Sequence, residues 1–290
     1  MFSLLLLGKS NLTLIQKMAI GATSAVTTAW TAANVIENKM RNYDTEVYPP
    51  VDTVTVIIPT LNEEQFIEKM LTSITNQSII NQYPNEFEFI LVDSGSEDNT
   101  IPIAESFIDN IIRVPIRGKL TARNIATNEA KGNIIVSVDA DCIYDYNWLN
   151  TLLRPFNDYT NPKYDNVVGV NGSTIDYSID AIPGQINTLS FLFQQKITKR
   201  NRMYGRNSAF YRHAFYESGM FNEESNQFDV KTMVKEEEVG FGNRLAKLGK
   251  VIYKTNATCI HLGGAKIDCR LGNSNSDICS NYKIGIERFG

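Results

Sequence analysis

Two aspartates, Asp139 and Asp141, close the apolar run in the stretch IIVSVDADC, Ile134 to Cys142. Four β-branched residues among the first five mark a buried strand, with Ser137 the one polar interruption. Residues two apart on an extended chain share a face, so both acids can point into one cleft. Two ionised carboxylates that near repel each other, and a divalent cation relieves the repulsion. A lone DxD also fits a solvated turn after a strand, so its weight depends on the residues around it. Other groups with chemical potential are Asp93 at the end of a second apolar run, the triplet Glu236-Glu237-Glu238, and His261, one of only two histidines.

Several elements must position these groups. Val54 to Ile58 (VTVII) reads as a strand that stops at Pro59-Thr60. Asn62 can cap a following helix with Phe66, Met70, Leu71 and Ile74 at core spacing. Phe89 to Val92 is a second strand, ending in Asp93-Ser94-Gly95-Ser96, and Ile111 to Val114 a third. A helix containing Ala122-Arg123-Asn124 then leads into the DAD strand. Strands alternating with helices predict an α/β fold, a Rossmann-like, mostly parallel central sheet flanked by helices. Polar residues gather at the strand ends on one edge: Thr60, Asn62 and Glu64, then Asp93, then Asp139 and Asp141. In such sheets that edge binds ligands. It carries neither a GxGxxG nor a Walker lysine loop, which disfavours a dinucleotide or P-loop site.

With 290 residues the chain can bury a substantial core. A net charge of −4 argues against a nucleic-acid partner. Four cysteines, Cys142, Cys259, Cys269 and Cys279, show no CxxC spacing, and the simpler reading is a reduced, cytoplasmic set.

VIIPTLNEE, then ILVDSGSEDNT, then GKLTARNIA before VDAD, in this order and at these spacings, resembles the donor half of inverting glycosyltransferases of family 2, which have the GT-A fold. The resemblance implies a nucleotide-facing loop of Pro59, Thr60, Asn62 and Glu64. It implies that Asp93 hydrogen-bonds the donor base, commonly uracil, and that Arg123 and Asn124 lie on a helix beside the nucleotide. Asp139 matches the ribose- or metal-facing member of the DxD, and Asp141 the direct ligand of a Mn2+ or Mg2+ ion.

The resemblance continues through Asn171-Gly172-Ser173, Tyr204 to Phe210, and Gly219-Met220-Phe221-Asn222, where Met220 stands at the second glycine of a GGF-type turn. Glu236 to Leu245 aligns on the family's ED…RL segment. That alignment puts Glu237 at the Glu position and Glu238 at the Asp position, the general base of inverting relatives. Gly240 and Gly242 weaken the helix proposed there. His261, in CIHLGG, matches a family histidine that reaches the metal or the donor diphosphate. The QxxRW signature of processive synthases is absent, since tryptophan occurs only at 30 and 148. The implied activity is metal-dependent, inverting transfer of a sugar from a nucleotide donor, with UDP the expected carrier. The implied acceptor is a hydroxyl or lipid phosphate on a glycan, protein or lipid-linked partner. A non-catalytic nucleotide-sugar-binding protein on the same fold is the main alternative, ahead of a sugar-nucleotide pyrophosphorylase.

The expected domains are an amino-terminal helical appendage over 1–50, a GT-A domain over 51–264 (donor half 51–142, acceptor half 143–264) and a tail over 265–290. No charge falls between Lys17 and Glu37, and Ile15, Met18, Ala22, Ala29, Ala33, Ile36 and Met40 recur near helical spacing. Flanking Lys9, Lys17, Lys39 and Arg41 suit a membrane surface. A helix packed on the catalytic domain is the equal alternative. Leu189 to Phe193 followed by Lys196, Lys199, Arg200 and Arg202 suits either a lipid-linked acceptor or a helix with a solvated basic end.

Overall fold

The structure, a computed structural model, describes residues 43–115, 118–176, 201–223 and 230–262, without the side chains of 176 and 230–236. The amino-terminal helix expected before residue 43, the apolar-basic run before Asn201 and the tail lie outside the described residues.

Among the described residues, eight strands form one sheet in the order β3-β2-β1-β4-β7-β6-β8-β5. The first half supplies β1 (Val54–Thr60), β2 (Phe87–Asp93), β3 (Ile111–Arg113) and β4 (Ile134–Val138), all parallel neighbours. Between them run helices α1 (Ile67–Thr75), α2 (Ser78–Gln82), α3 (Thr100–Ala104) and α4 (Lys119–Glu129). Strands covered on both faces read as continuous apolar runs. Alternate residues of β1 and β4 accordingly enter two different cores. Val54, Val56 and Ile58 join Ile134, Val136 and Val138 on one face, whereas Ile57 and Ile135 pack on the other. The first face is closed by Ile67, Met70, Leu71 and Ile74 of α1, at the one-stripe spacing of an amphipathic helix. Trp148, Leu149, Leu152 and Leu153 of α5 (Trp148–Asn157) complete it.

Antiparallel pairing enters with the second half. There β5 (Cys142–Tyr144), β6 (Val167–Asp176), β7 (Asn207–Tyr211) and β8 (Lys250–His261) join the sheet, with α6 (Arg212–Glu217) and α7 (Val230–Leu245) beside them. Because β7 runs antiparallel to β4, with Ser208 opposite Ser137 and Asn207 opposite Val138, it begins at the edge where β4 ends. Residues 204–206 are thereby brought to the carboxyl ends of the parallel strands. Likewise β5 runs antiparallel to β8 and sets Cys142 opposite His261. The second face is filled by an aromatic cluster in which Phe241 of α7 meets Phe221 at 4.5 Å and Phe210 at 5.3 Å between ring centroids. That packing fixes α7 against β7.

Residues 43–50, expected within a helical appendage that ends in a Tyr-Pro-Pro linker, carry no helix and lie bound to α5 and β8. Lys254 pairs with Asp44 at 2.7 Å, Asn150 donates to the carbonyls of Asp44 and Glu46 at 2.8 Å each, and the Arg154 guanidinium lies 4.5 Å over the Tyr48 ring.

Candidate active site

Asp139 leaves the end of β4 at 5% exposure, too deep to stay ionised without partners. It has two. Lys119 opens α4 and reaches its Oδ2 at 3.2 Å, while Arg123, one helical turn later, bonds its Oδ1 and donates from Nε to Ser137 Oγ at 3.0 Å. The i, i+4 spacing aims both cations along one face of α4. Burial works to raise the pKa of Asp139, but Lys119 and then Arg123 hold it below the ordinary carboxylate value. Tyr144 bridges the turn from below: its hydroxyl accepts from Asp139 N at 3.2 Å and donates to Arg206 O at 2.9 Å.

Asp141 faces a different partner. Its Oδ2 lies 3.4 Å from His261 Nε2, and its carbonyl accepts from Leu262 N at 2.8 Å. Burial again pushes its pKa up, and the His261 hydrogen bond and the charge of Lys119 hold it well below the usual range. Among the described residues no three His, Cys, Asp or Glu side chains form a metal-holding group. Asp141 and His261 come together, and Asp139 is engaged elsewhere. Two protein donors still fit the expected ion, since Mg2+-type sites commonly use one or two carboxylates and take their remaining oxygens from phosphates and water.

Asp93 ends β2 beside Thr60 of β1 in the parallel register. Its carboxylate accepts from Gly95 N at 3.3 Å and Ser96 N at 3.1 Å, and from the Ser96 hydroxyl. It lines a cleft of about 520 Å³ with Ser96, Asp98, Arg113, Val114 and Pro115 among its walls. Thr60 lies in the strand at 4% exposure, and its Oγ1 finds no partner among the described residues. Past Pro59 and Thr60 the chain turns at Asn62, whose φ is 54°. Asn62 Oδ1 accepts from Glu97 N at 2.9 Å, and Glu64 Oε2 accepts from Asn99 N and Nδ2 at 3.1 Å each. Asn62 and Glu64 thus brace the two loops that frame the cleft.

In the second half of the chain, adjacent glutamates of α7 diverge, as neighbours about 100° apart on a helix must. Glu238 turns to the 202–205 segment, where Oε1 accepts from Gly205 N at 3.1 Å and Oε2 from Arg202 Nη2 at 2.7 Å. Gly205 lies against the Arg123 guanidinium, so an unbroken chain of contacts runs from Glu238 through Gly205 and Arg123 to Asp139. Glu237 turns away: its Oε1 accepts from Arg244 Nη2 at 2.6 Å and Asn222 N at 2.9 Å. Arg244 also donates to the carbonyls of Ser218 and Met220, so Glu237 anchors the turn that places Phe221. Asn124 clasps the same turn, donating to Phe221 O at 2.9 Å and accepting from Phe221 N at 3.2 Å. Glu237→Ala removes one buried acceptor from the Arg244 fork and from Asn222 N. Its expected cost is about 1–3 kcal/mol of stability, read as a lower melting temperature, with affinity for UDP unchanged.

Lys119, Arg202, Gly205 and Tyr144 join this site without having been singled out for it by the sequence. The signal for Lys119 was its spacing to Arg123. Arg202 was submerged in a basic run, Gly205 was read only as part of the matching stretch Tyr204 to Phe210, and nothing in the sequence flagged Tyr144.

A parallel first half, an acid-rich carboxyl edge and an antiparallel second half define a GT-A glycosyltransferase. Solved structures with this architecture include a mannosyltransferase of Pyrobaculum calidifontis in complex with GDP-Man and Mn2+, at a TM-score of 0.54 and 22% identity over 86% of this chain and 68% of that one. TarS of Staphylococcus aureus in complex with UDP gives 0.53 and 15% over 72% and 60%. The chain belongs to glycosyl transferase family 2, whose pattern matches residues 55–219. The glycosyltransferase AglE of Haloferax volcanii is 35% identical over 103 residues, which cover 33% of this chain and 33% of AglE. The poly(ribitol-phosphate) β-N-acetylglucosaminyltransferase TarS is 32% identical over 93 residues, or 30% of this chain and 16% of TarS. The chain thus spans a third or less of the length of these two curated relatives. Among the described residues no helix is long and apolar enough to cross a membrane.

Proposed function

We propose that this chain transfers a sugar from a nucleoside diphosphate donor, with UDP as carrier, to an acceptor hydroxyl with inversion, in the presence of Mn2+ or Mg2+. The observation that carries the proposal is the contact chain from Glu238 through Gly205 and Arg123 to Asp139, on the sheet edge that also holds Asp93 and Asp141. The Mn2+ complexes of the mannosyltransferase with GDP-Man and of a GalNAc transferase with UDP and GalNAc are in keeping with its metal and its nucleotide donor.

In this reading the base of the donor lies in the cleft at Asp93, where a ring N–H would replace one of the bonds the carboxylate accepts from Gly95 and Ser96. Pro59 and Thr60 face the nucleoside, with Asn62 and Glu64 holding the loop in place. Lys119, Arg123 and Asp139 form the floor under the ribose and diphosphate. Asp141 and His261 would hold the ion, which when bound offsets the charge that builds on the departing diphosphate. Glu238 takes the acceptor proton as the acceptor oxygen attacks the anomeric carbon from the face opposite the leaving group. The bond to the diphosphate breaks as the new bond forms, and the sugar gains oxocarbenium-like character between them. An ionised phosphate acceptor needs no base, and Glu238 then acts electrostatically.

The test is a panel of UDP-glucose, UDP-galactose, UDP-N-acetylglucosamine and GDP-mannose, with and without MnCl2, assayed for release of nucleoside diphosphate. Metal-dependent release from one donor, ended by EDTA, is the expected result. Metal-dependent nucleotide binding with no release from any donor would instead make the chain a binding protein on this fold.

A further inference from the structure

We infer that Arg202 is a positioning residue for the base: it holds the Glu238 carboxylate in the one orientation that presents a free lone pair to the acceptor. The inference rests on the reading of Glu238 as that base. A glutamate has three side-chain torsions, and an unrestrained carboxylate at the end of them spreads over many positions. Here it does not. Arg202 donates to Oε2 from Nε at 3.1 Å and from Nη2 at 2.7 Å, both bonds on one oxygen, and Gly205 N holds Oε1 at 3.1 Å. A carboxylate oxygen accepts about two hydrogen bonds. Oε2 is therefore filled by the guanidinium, and Oε1 keeps one site for an incoming O–H.

Arg202 is itself built in. Its guanidinium lies 4.1 Å from the centroid of the Tyr204 ring while its Nε and Nη2 edge meets the carboxylate, and its side chain is 16% exposed. The backbone around it is tied to α7 at two further points. Met203 N donates to Glu238 O at 3.0 Å, and Gly242 meets the Asn201 carbonyl so closely that a side chain there would collide with it. An arginine on a flexible surface segment would not be locked this way. A pair this buried contributes to folding as well, so its part in orientation is read from turnover and not from stability.

The test is a double-mutant cycle on whichever of the four donors above the protein cleaves, measuring nucleoside diphosphate release with MnCl2, UDP affinity by calorimetry, and melting temperature. Arg202→Gln is expected to lower kcat by about 10–100-fold, the scale of a misplaced catalytic group. Donor KM and UDP affinity are expected to stay near wild type, with a lower melting temperature because the buried Glu238 loses its cation. Arg202→Lys keeps the charge without the fork and is expected to recover part of kcat. In a Glu238→Gln background the Arg202→Gln loss is expected to disappear, because both changes remove one function. A loss that persists undiminished in that background overturns the inference and places Arg202 on substrate. Wild-type kcat in Arg202→Gln, with Glu238→Gln inactive, overturns it while leaving the base reading intact. Normal kcat in Glu238→Gln, or no release by the wild-type protein from any of the four donors, overturns both.

Discussion

Asp141→Ala is expected to lower metal-dependent kcat/KM by about 10³-fold or more, while UDP still binds weakly without metal. A bound ion contributes several kcal/mol of charge stabilisation at the transition state, and each 1.4 kcal/mol is about tenfold in rate. Asp141 supplies one of the two protein donors that the structure brings together, and His261 alone is a poor site for a hard cation. The loss is not one of folding. The main-chain bond from Leu262 N to Asp141 O does not need the carboxylate, and the change removes a buried charge. Asp93 and its cleft lie on β2, away from the substitution, which is why residual UDP binding is the internal control. Calorimetric titration of UDP with and without MnCl2 separates the two effects. Should Asp141→Ala keep both its Mn2+ response and its turnover, the ion is held elsewhere and the assignment of Asp141 and His261 fails.

The strands that carry these acids were legible because each is a short β-branched run ending in a polar residue. β1, β2 and β4 fall where such runs fall, the first two slightly longer than their apolar cores and β4 coincident with IIVSV. β5 was not separable, since IIVSVDADC reads as one run. Cys142 N bonds back to Asp139 O at 3.3 Å, and this tight turn divides the run into two strands. β8 is hard to read past Tyr253, because Lys254 to Ala257 break the apolar pattern. The register with β6 jumps from Lys254 opposite Gly172 to Thr258 opposite Ser173, so the polar residues bulge out and the strand continues to His261. That bulge is what delivers the histidine to Asp141, and no periodicity could announce it. Gly242 is the converse case: it counts against a helix in the sequence, yet α7 needs it to approach Asn201. Met220 replaces an expected glycine and adopts φ 62° regardless, beside Gly219 at 88°.

Gly205→Ala tests whether the two halves of the site depend on one another. A Cβ on residue 205 would stand 2.6 Å from Arg123 Nη1 and closer still to Cζ, against a guanidinium only 2% exposed with no free space to retreat into. One side must yield. If Arg123 moves, Asp139 loses a buried partner and Ser137 Oγ its donor. If residue 205 moves, its amide leaves Glu238 Oε1 and its carbonyl leaves Ser137 Oγ. In both cases the carboxylate that takes the proton shifts relative to the floor that holds the diphosphate. A displacement near 1 Å between reacting groups costs about 100-fold in rate, and overpacking of a filled interior costs about 1–3 kcal/mol of stability. The expected result is therefore a loss of kcat on that scale together with a lower melting temperature, and UDP binding at the Asp93 cleft retained. Pairing it with Arg123→Lys, which thins the obstructing group, is expected to return stability but not rate, because the lysine cannot hold Ser137 and Asp139 together. A Gly205→Ala protein with full turnover would mean that acceptor and donor sides keep their register without this contact, and the proposed route from Glu238 to Asp139 would have no mechanical meaning.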